Sequence, residues 1–464
     1  MRLNLPIHSY RHSSRPVGSE RLVNCFAERA PPEGKAPTIV TRSPGSVSAC
    51  SLGSGPGRGI FAWNNALYAV SGSTLYSITS AHVATAVGTI SGTARVSWAI
   101  NPTQLVVCSA PDAYYLSGGT LTQITDADYT ARGGAQAASL DGYILFREPN
   151  SGRFFSSDLN DASAYDGLYF ATAEGFPDDL VGIDVDHRQI VLMGSSSLEL
   201  WENVGGTGFP FARAINGYLE LGAAAGYSIA KADNSIYWLA SDLTVRRLEG
   251  LTPVRVSHHG VEQAIRGYGA SNAVSDAHAF GYTQDGHIFY VLNFPTAGAT
   301  WVYDATTQEW HERESYQDTR WRPVGAAFCY GRNYVQRYDT GAIGYLDPDT
   351  YTDFDDILRA EWTYGSAAYS GGGRTFHGML ECLAEGGVGL TTGQGSDPEI
   401  MLDVSDDGGR TWQAMVNQKL GRIGEYSNRI RWHRLGSSRD RIYRMAVSDP
   451  VKVTVSDTVL EVIG

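Results

Sequence analysis

From residue 57 onward the chain repeats one unit: a turn rich in Gly, Asn or Asp, a short apolar strand, a second turn, and a further strand that often ends in an aromatic residue. Clear copies read NNALYAVSGSTLYSI, LDGYILFREPNSGRFFSS, VDHRQIVLMGSSSLELWE, ADNSIYWLASDLTVRRL and QDGHIFYVLNFPTAGATWVYD. With Asn64, Asn101, Asp141, Asp186, Asp233, Asp285 and Gly331 as equivalent turn positions, the intervals are 37, 40, 45, 47, 52 and 46 residues, a mean of about 44.5. Strand pairs at that period mark a β-propeller blade, because each flat unit buries its faces only against neighbours and ring closure leaves few exposed edges. The spacing predicts a propeller of six or seven blades over residues 57–350. A stack of β-sandwiches would not repeat so evenly. Near the longest interval, HHGVEQAIRGYG places Val261, Ala264 and Ile265 at i, i+3 and i+4, which predicts an inter-blade helix stopped at Gly267.

Composition agrees with an all-β reading. The 464 residues include 53 Gly and 51 aromatics (26 Tyr, 15 Phe and 10 Trp), with only 18% charged. That profile argues against coiled coils, helical repeats and disordered tails, and for short strands joined by tight turns.

The repeats are flanked by two different regions. Residues 1–56 carry Pro6, Pro16, Pro31, Pro32, Pro37, Pro44 and Pro56, so neither a helix nor a central strand runs far there. An extended arm is expected, docked through Leu22, Val23, Cys25 and Phe26. After the repeats, the acid-rich Asp347–Asp356 stretch closes the ring as a solvated loop and opens a linker. An EF-hand is excluded there, since the sixth and twelfth positions are Thr352 and Leu358. Residues 351–464 remain β but lose the blade rhythm. In RIRWHRL, Arg429, Arg431 and His433 alternate with Ile430 and Trp432, so a separate β-sandwich-like domain is expected.

The formal charge is −13, from 36 basic and 49 acidic residues. Residues 1–56 hold seven Lys/Arg against three Glu and residues 351–464 twelve against sixteen, which leaves about −13 on the propeller block. Such a chain is a poor general nucleic-acid binder, because affinity for phosphate backbones comes from cations. The five cysteines (Cys25, Cys50, Cys108, Cys329 and Cys382) are odd in number and never spaced CxxC, so reduced thiols are expected rather than a disulfide framework or zinc cluster. The basic N-terminus lacks an apolar core, and no run approaches 18 apolar residues; neither a signal peptide nor a membrane span is expected.

No catalytic constellation emerges. GxSxG, GxxxxGK[ST], HExxH and a strand-following GxGxxG are all missing, and the adjacent His258 and His259 would face opposite ways in a strand. No cofactor or metal is expected. The sharpest local motif is an Asp box, Ser405-x-Asp407-x-Gly409-x-Thr411-Trp412. Its Ser, Asp and Thr side chains are suited to bond the loop backbone, Gly409 permits positive φ, and Trp412 is expected to pack beneath. The box resembles turns of sialidase propellers, where it is structural. A single copy outside the repeats, with no paired acid and nucleophile, gives little support to a glycosidase. Between Lys419 and Arg444 the chain carries a local +6, with Arg422, Arg429, Arg431, Arg434, Arg439, Arg441 and Arg444 as candidates for contact with a neighbouring subunit or another acidic partner. A solvated strand face is the simpler alternative.

Taken in order, RLVNCFAE with TRSPG, then SDAHAFGYTQDGHIFYVLNFPTAGATWVYDATTQEWHERES, GAIGYLDPDTYTDF, DVSDDGGRTW and GRIGEYSNRIRWHRLGSSRDRIYRMAVSDPV resemble the packaged-DNA stabilisation proteins of short-tailed bacteriophages, also called tail-hub or tail-nozzle proteins. The resemblance covers nearly the full length. It implies a non-enzymatic virion protein assembled in the host cytoplasm: a homo-hexameric tube below the tail adaptor ring that extends the DNA channel, helps retain the genome, and carries fibres, spikes or a needle. Genomic DNA would pass without specific binding, so the wall facing it is expected to be acidic or neutral. A carbohydrate-binding propeller, motivated by the aromatics, and a sialidase-like hydrolase are the competing readings.

Overall fold

The computed structural model describes the chain except residues 15–17, 32, 34–35, 54, 207, 271, 368–372 and 464. Pro16 and Pro32 of the predicted arm lie outside the described residues.

The fold is all-β, a propeller followed by a β-sandwich. Among the described residues, six blades are each built from four consecutive antiparallel strands, over residues 57–89, 97–123, 136–172, 180–219, 230–255 and 278–312. A seventh, composite unit joins Pro323–Cys329, Arg332–Arg337 and Ile343–Asp347 to Gly45–Cys50 from the N-terminal region, with Tyr345 opposite Val47. An early strand thus closes the ring.

The predicted turn positions all fall at the hairpin between a blade's first and second strands. Six of these seven hairpins have two-residue loops with both residues at positive φ: Asn64–Asn65, Asp141–Gly142, His187–Arg188, Asp233–Asn234, Asp285–Gly286 and Tyr330–Gly331. Such turns match the right-handed twist of the strands they join, and Asn, Asp and Gly tolerate the left-handed backbone best. At Asn101 the loop is longer, with Ile100 opposite Leu105, and the Asn101 side chain accepts from the amides of Thr103 and Gln104. Between blades, the flat faces bury apolar side chains such as Ile144, Phe146 and Phe155 against Val106 and Cys108.

Helix α1 (Ala127–Arg132) was not expected; Asp126 caps it by accepting from the amides of Asp128 and Tyr129. Helix α2 (His259–Gly269) is the expected inter-blade helix, and it buries Val261 and Ile265. It runs through Gly267 to Gly269, so that glycine does not stop it.

The first 56 residues do not form a separate arm but enter both domains. Ser19–Val23 pairs with Glu309–Glu312 of the sixth blade on one side and with Ala360–Thr363 of the sandwich on the other. One continuous sheet of eleven strands therefore runs from the propeller into the sandwich. Cys25–Arg29 and Thr38–Arg42 join the second sandwich sheet beside Thr454–Ile463. The expected anchors Leu22, Val23, Cys25 and Phe26 are all buried. Between the sandwich sheets, Leu22, Trp362, Leu402, Tyr443 and Met445 pack against Val40, Leu380, Trp432, Val455 and Leu460.

Asp347–Asp356 is not a wholly solvated loop. Asp353 is buried and accepts from Ser46 Oγ and Ser315 Oγ, each at 2.7 Å, which ties the ring-closing strand to the end of the propeller.

Candidate functional site at the junction of the two domains

The strand Ser19–Val23 puts Arg21 where the two domains meet. Its guanidinium grips Glu312 of the sixth blade (Nε to Oε1 3.0 Å, Nη2 to Oε2 2.8 Å), donates to Glu314, and lies 3.6 Å from Glu361 of the sandwich. Burial works against the charge on Arg21, but the three carboxylates hold its pKa above the usual value. Glu312 is likewise buried, and Arg21 with Arg11 outweighs that cost and keeps its carboxyl below the ordinary range. Glu314 moves the other way, because burial and repulsion from Glu312 exceed what Arg21 returns. One cation thus bridges propeller and sandwich, and removing it would leave three crowded carboxylates.

Polar side chains of the next residues fasten the backbone. Asn24, at φ 52, donates to the carbonyls of Glu314 (2.9 Å) and Arg359 (2.8 Å), one from each domain. Arg42 is fully buried without a carboxylate; it donates to the carbonyls of Asp449, Val451, Tyr351 and Leu358, and burial lowers its pKa to about 10. Arg313, equally buried, lies 4.0 Å over the Trp321 ring and donates to Pro44 O at 2.9 Å. None of these four was singled out by sequence. The available signal was charged or amide residues set among apolar ones in RLVNCFAE.

A cleft of about 580 Å³ opens beside Arg21, between α2, the paired residues Arg11 and Ser19 and the Asp box, with Tyr268, Gln263, Trp412 and Arg444 in its walls. The box itself is a closed network. Ser405 Oγ donates to Asp407 (2.8 Å), Asp407 accepts from the amides of Arg410 (2.8 Å) and Thr411 (2.9 Å) and from Thr411 Oγ1 (2.6 Å), and Gly409, at φ 80, donates to Ser405 Oγ (2.8 Å). Hydrogen bonds, Thr411's foremost, hold the Asp407 carboxyl well below its ordinary pKa. Trp412 is half-buried and carries the Arg444 guanidinium 4.1 Å over its ring.

The seven candidate interface arginines do not form one free patch. Arg422 pairs with Asp397 (3.2 Å), Arg429 and Arg431 share Glu381 (2.7 and 3.1 Å), Arg441 clamps Asp406 (2.6 Å), and Arg444 binds Asp403 (2.7 Å). Their acidic partners belong to the same domain. Only Arg434 and Arg439 are exposed without an ion pair among the described residues.

No group of three or more His, Cys, Asp or Glu side chains suited to hold a metal occurs among the described residues, and no helix there is long and apolar enough to cross a membrane.

Comparison with known proteins is consistent with this architecture. No curated protein sequence matches the chain. Among solved structures, BamB from Moraxella catarrhalis is 13% identical over 70% of this chain and 98% of its own, with a TM-score of 0.40. The Pan2 WD40 domain of Neurospora crassa is 9% identical over 64% of this chain and 90% of its own, with a TM-score of 0.42. Both are too distant to bear on function. A family model described as "Bacteriophage P22 Gp10, beta-propeller" matches residues 19–351, and one described as "Bacteriophage P22 Gp10, beta-sandwich" matches residues 370–462. Propeller, sandwich and their order along the chain all agree, and the chain belongs to the bacteriophage P22 Gp10 family of phage structural proteins, tail-hub components that stabilise packaged DNA.

Proposed function

We propose that this chain is the repeating subunit of a hexameric tail tube that sits below the adaptor ring, extends the DNA channel, helps hold the genome in place and carries fibres, spikes or a needle. The observation that most supports a mechanical role is the eleven-stranded sheet running through Ser19–Val23 from the sixth blade into the sandwich. Two domains joined only by a linker would hinge; two domains sharing a sheet and the Arg21 ion cluster move as one body. A tube wall under internal DNA pressure needs that stiffness. The role involves no substrate turnover and no specific hold on DNA, and assembly would take place in the host cytoplasm.

Electron microscopy and native mass measurement of the purified chain, with and without the virion connector, test this reading. Rings of six on the connector are expected. A chain that stays monomeric in both conditions would sink it. In the ring, the wall facing the genome should be acidic or neutral, since a lumen lined with Arg and Lys would bind DNA and slow ejection.

A further inference from the structure

The acidity of the propeller is concentrated at one side. Residues 126–220 contain fifteen Asp/Glu and five Arg. Around α1 and the outermost strand of the third blade, Asp161–Thr172, five of these form a surface: Asp126, Asp128, Asp158, Asp161 and Asp166. None has an ion pair among the described residues, and Arg132, in the last turn of α1, is committed to Glu148 and to the carbonyl of Gly167. Partial burial and, after it, the charges of Asp161, Asp166 and Asp126 raise the pKa of Asp158, while hydrogen bonds from Ser163 lower that of Asp161. Two leucines project from this surface, Leu159 at 54% and Leu168 at 79% exposure. Among the described residues the strand pairs with Arg153–Asp158 alone, and its outer edge carries no further strand, with α1 lying against part of it. Long unpaired edges with exposed apolar side chains are seldom left bare.

The opposite chemistry lies on the sandwich. Thr375 pairs with Ser438 and Phe376 with Ser437, which sets Arg374 beside Arg439, while the Arg434 amide donates to Gly378 O at 3.0 Å in the same corner. Arg374, Arg434 and Arg439 are exposed and have no ion pair among the described residues, the adjacent Asp440 accepts from Ser366, and Phe376 stands out at 58% exposure. Three guanidiniums without an ion pair around an exposed phenyl ring complement five carboxylates without a cationic partner around two leucines.

We propose that the third-blade surface of one copy docks on the Arg374/Phe376/Arg434/Arg439 corner of a second copy. The two patches lie on different domains, so the contact is head-to-tail, and a head-to-tail contact generates a ring when its rotation closes. The inference rests on the tail-tube reading and names the surfaces that would build it.

Sedimentation velocity of the full chain in about 0.15 M salt, with circular dichroism to confirm folding, provides the test. Wild type should self-associate, and added salt should weaken the association. Arg434→Glu with Arg439→Glu, or Asp158→Arg with Asp166→Arg, should each weaken it by about a hundred-fold, in the range seen for close interfacial charge pairs. An equimolar mixture of the two variants should regain hetero-association, because one charge-matched contact is restored. Leu168→Asp should weaken association without changing the fold. Wild-type oligomers that persist unchanged in every variant would overturn these surfaces while leaving the tail-tube reading intact. A wild type that stays monomeric to its solubility limit, alone and on the connector, would overturn both.

Discussion

In the propeller, each of the first six blades is complete within one stretch of chain, whereas both sandwich sheets require strands from the two ends: Ser19–Val23 with Ala360–Thr363, and Thr38–Arg42 with Thr454–Ile463. The first architecture is dominated by local pairing and the second by long-range pairing, which is entropically slower to establish. The blades can therefore form as the chain emerges, but the sandwich must wait for its last strand. The N-terminal strands serve both domains at once, closing the seventh unit through Gly45–Cys50 and the sandwich through the three strands before it.

The largest test of that contrast is removal of residues 1–50. The closing strand and four sandwich strands go together, among them Arg2–Leu3 paired with Thr458–Val459, so the sandwich should not fold and the ring should lose its last pairing. The expected result is loss of the cooperative melt, with exchange protection surviving only in the middle blades. A variant that melts as sharply as wild type would show that the N-terminal strands decorate the two domains instead of joining them.

The same contrast explains what could be read from sequence. The blade turns were legible because positive φ selects Asn, Asp and Gly, and those residues recur at the blade period; His187–Arg188 and Tyr330 adopt the same turn without that signature. The helix α2 was legible from spacing, whereas α1 is too short to show a period. The N-terminal region read as an arm because its prolines hid the short strands between them, and their partners lie hundreds of residues away. The arginine segment read as a free +6 because Glu381, Asp397, Asp403 and Asp406, which pair with five of its arginines, fall outside the counted window. Pairing across sheets is not visible to a count along the chain.

Arg42→Met sharpens the comparison at one residue. The substitution keeps much of the side-chain volume but abandons four carbonyls, at a cost on the order of 3 kcal/mol for buried acceptors left unmade. Because three of its acceptors lie at Leu358, Asp449 and Val451, exchange protection should fall first in the sandwich. Equal loss in blades 1 to 5 would mean that the domains unfold as one unit.

Acid should bear harder on the propeller side. Burial holds His311 down at about 3, burial and the nearby His8 hold His258 at about 4, and burial with Arg95 and Arg320 depresses His278; in the sandwich only His377 is lowered, by burial and Arg441. Each folded value lies below the unfolded one, so stability is whole above about pH 6.5 and falls as pH drops and the unfolded chain takes up protons that the folded chain refuses. At pH 5 the loss is about 2 kcal/mol for each histidine held fully neutral. His287 acts oppositely, raised by its 2.7 Å bond to Asp304, so its contribution is complete at low pH and is lost as pH rises through its folded value. Denaturation at pH 7.5 and pH 5, followed by exchange in each domain, should show blade 6 losing protection before the second sandwich sheet.

The smallest effect belongs to the Asp box. Asp407→Ala removes the acceptor shared by Arg410, Thr411 and Ser405, all within one exposed turn. Of the strands it joins, Glu399–Ser405 is also held by Ile442–Val447, whereas Gln413–Ala414 is the short edge strand beyond it, so the sheet keeps its main anchor. Amide exchange at residues 408–411 should therefore speed up while the global melt barely moves. Trp412 would lose its fixed position over Arg444, and its fluorescence should report that locally. If instead the whole sandwich melts earlier, the turn is part of the long-range closure that sets this domain apart from the locally built blades, and the junction cleft beside it depends on a motif confined to a few consecutive residues.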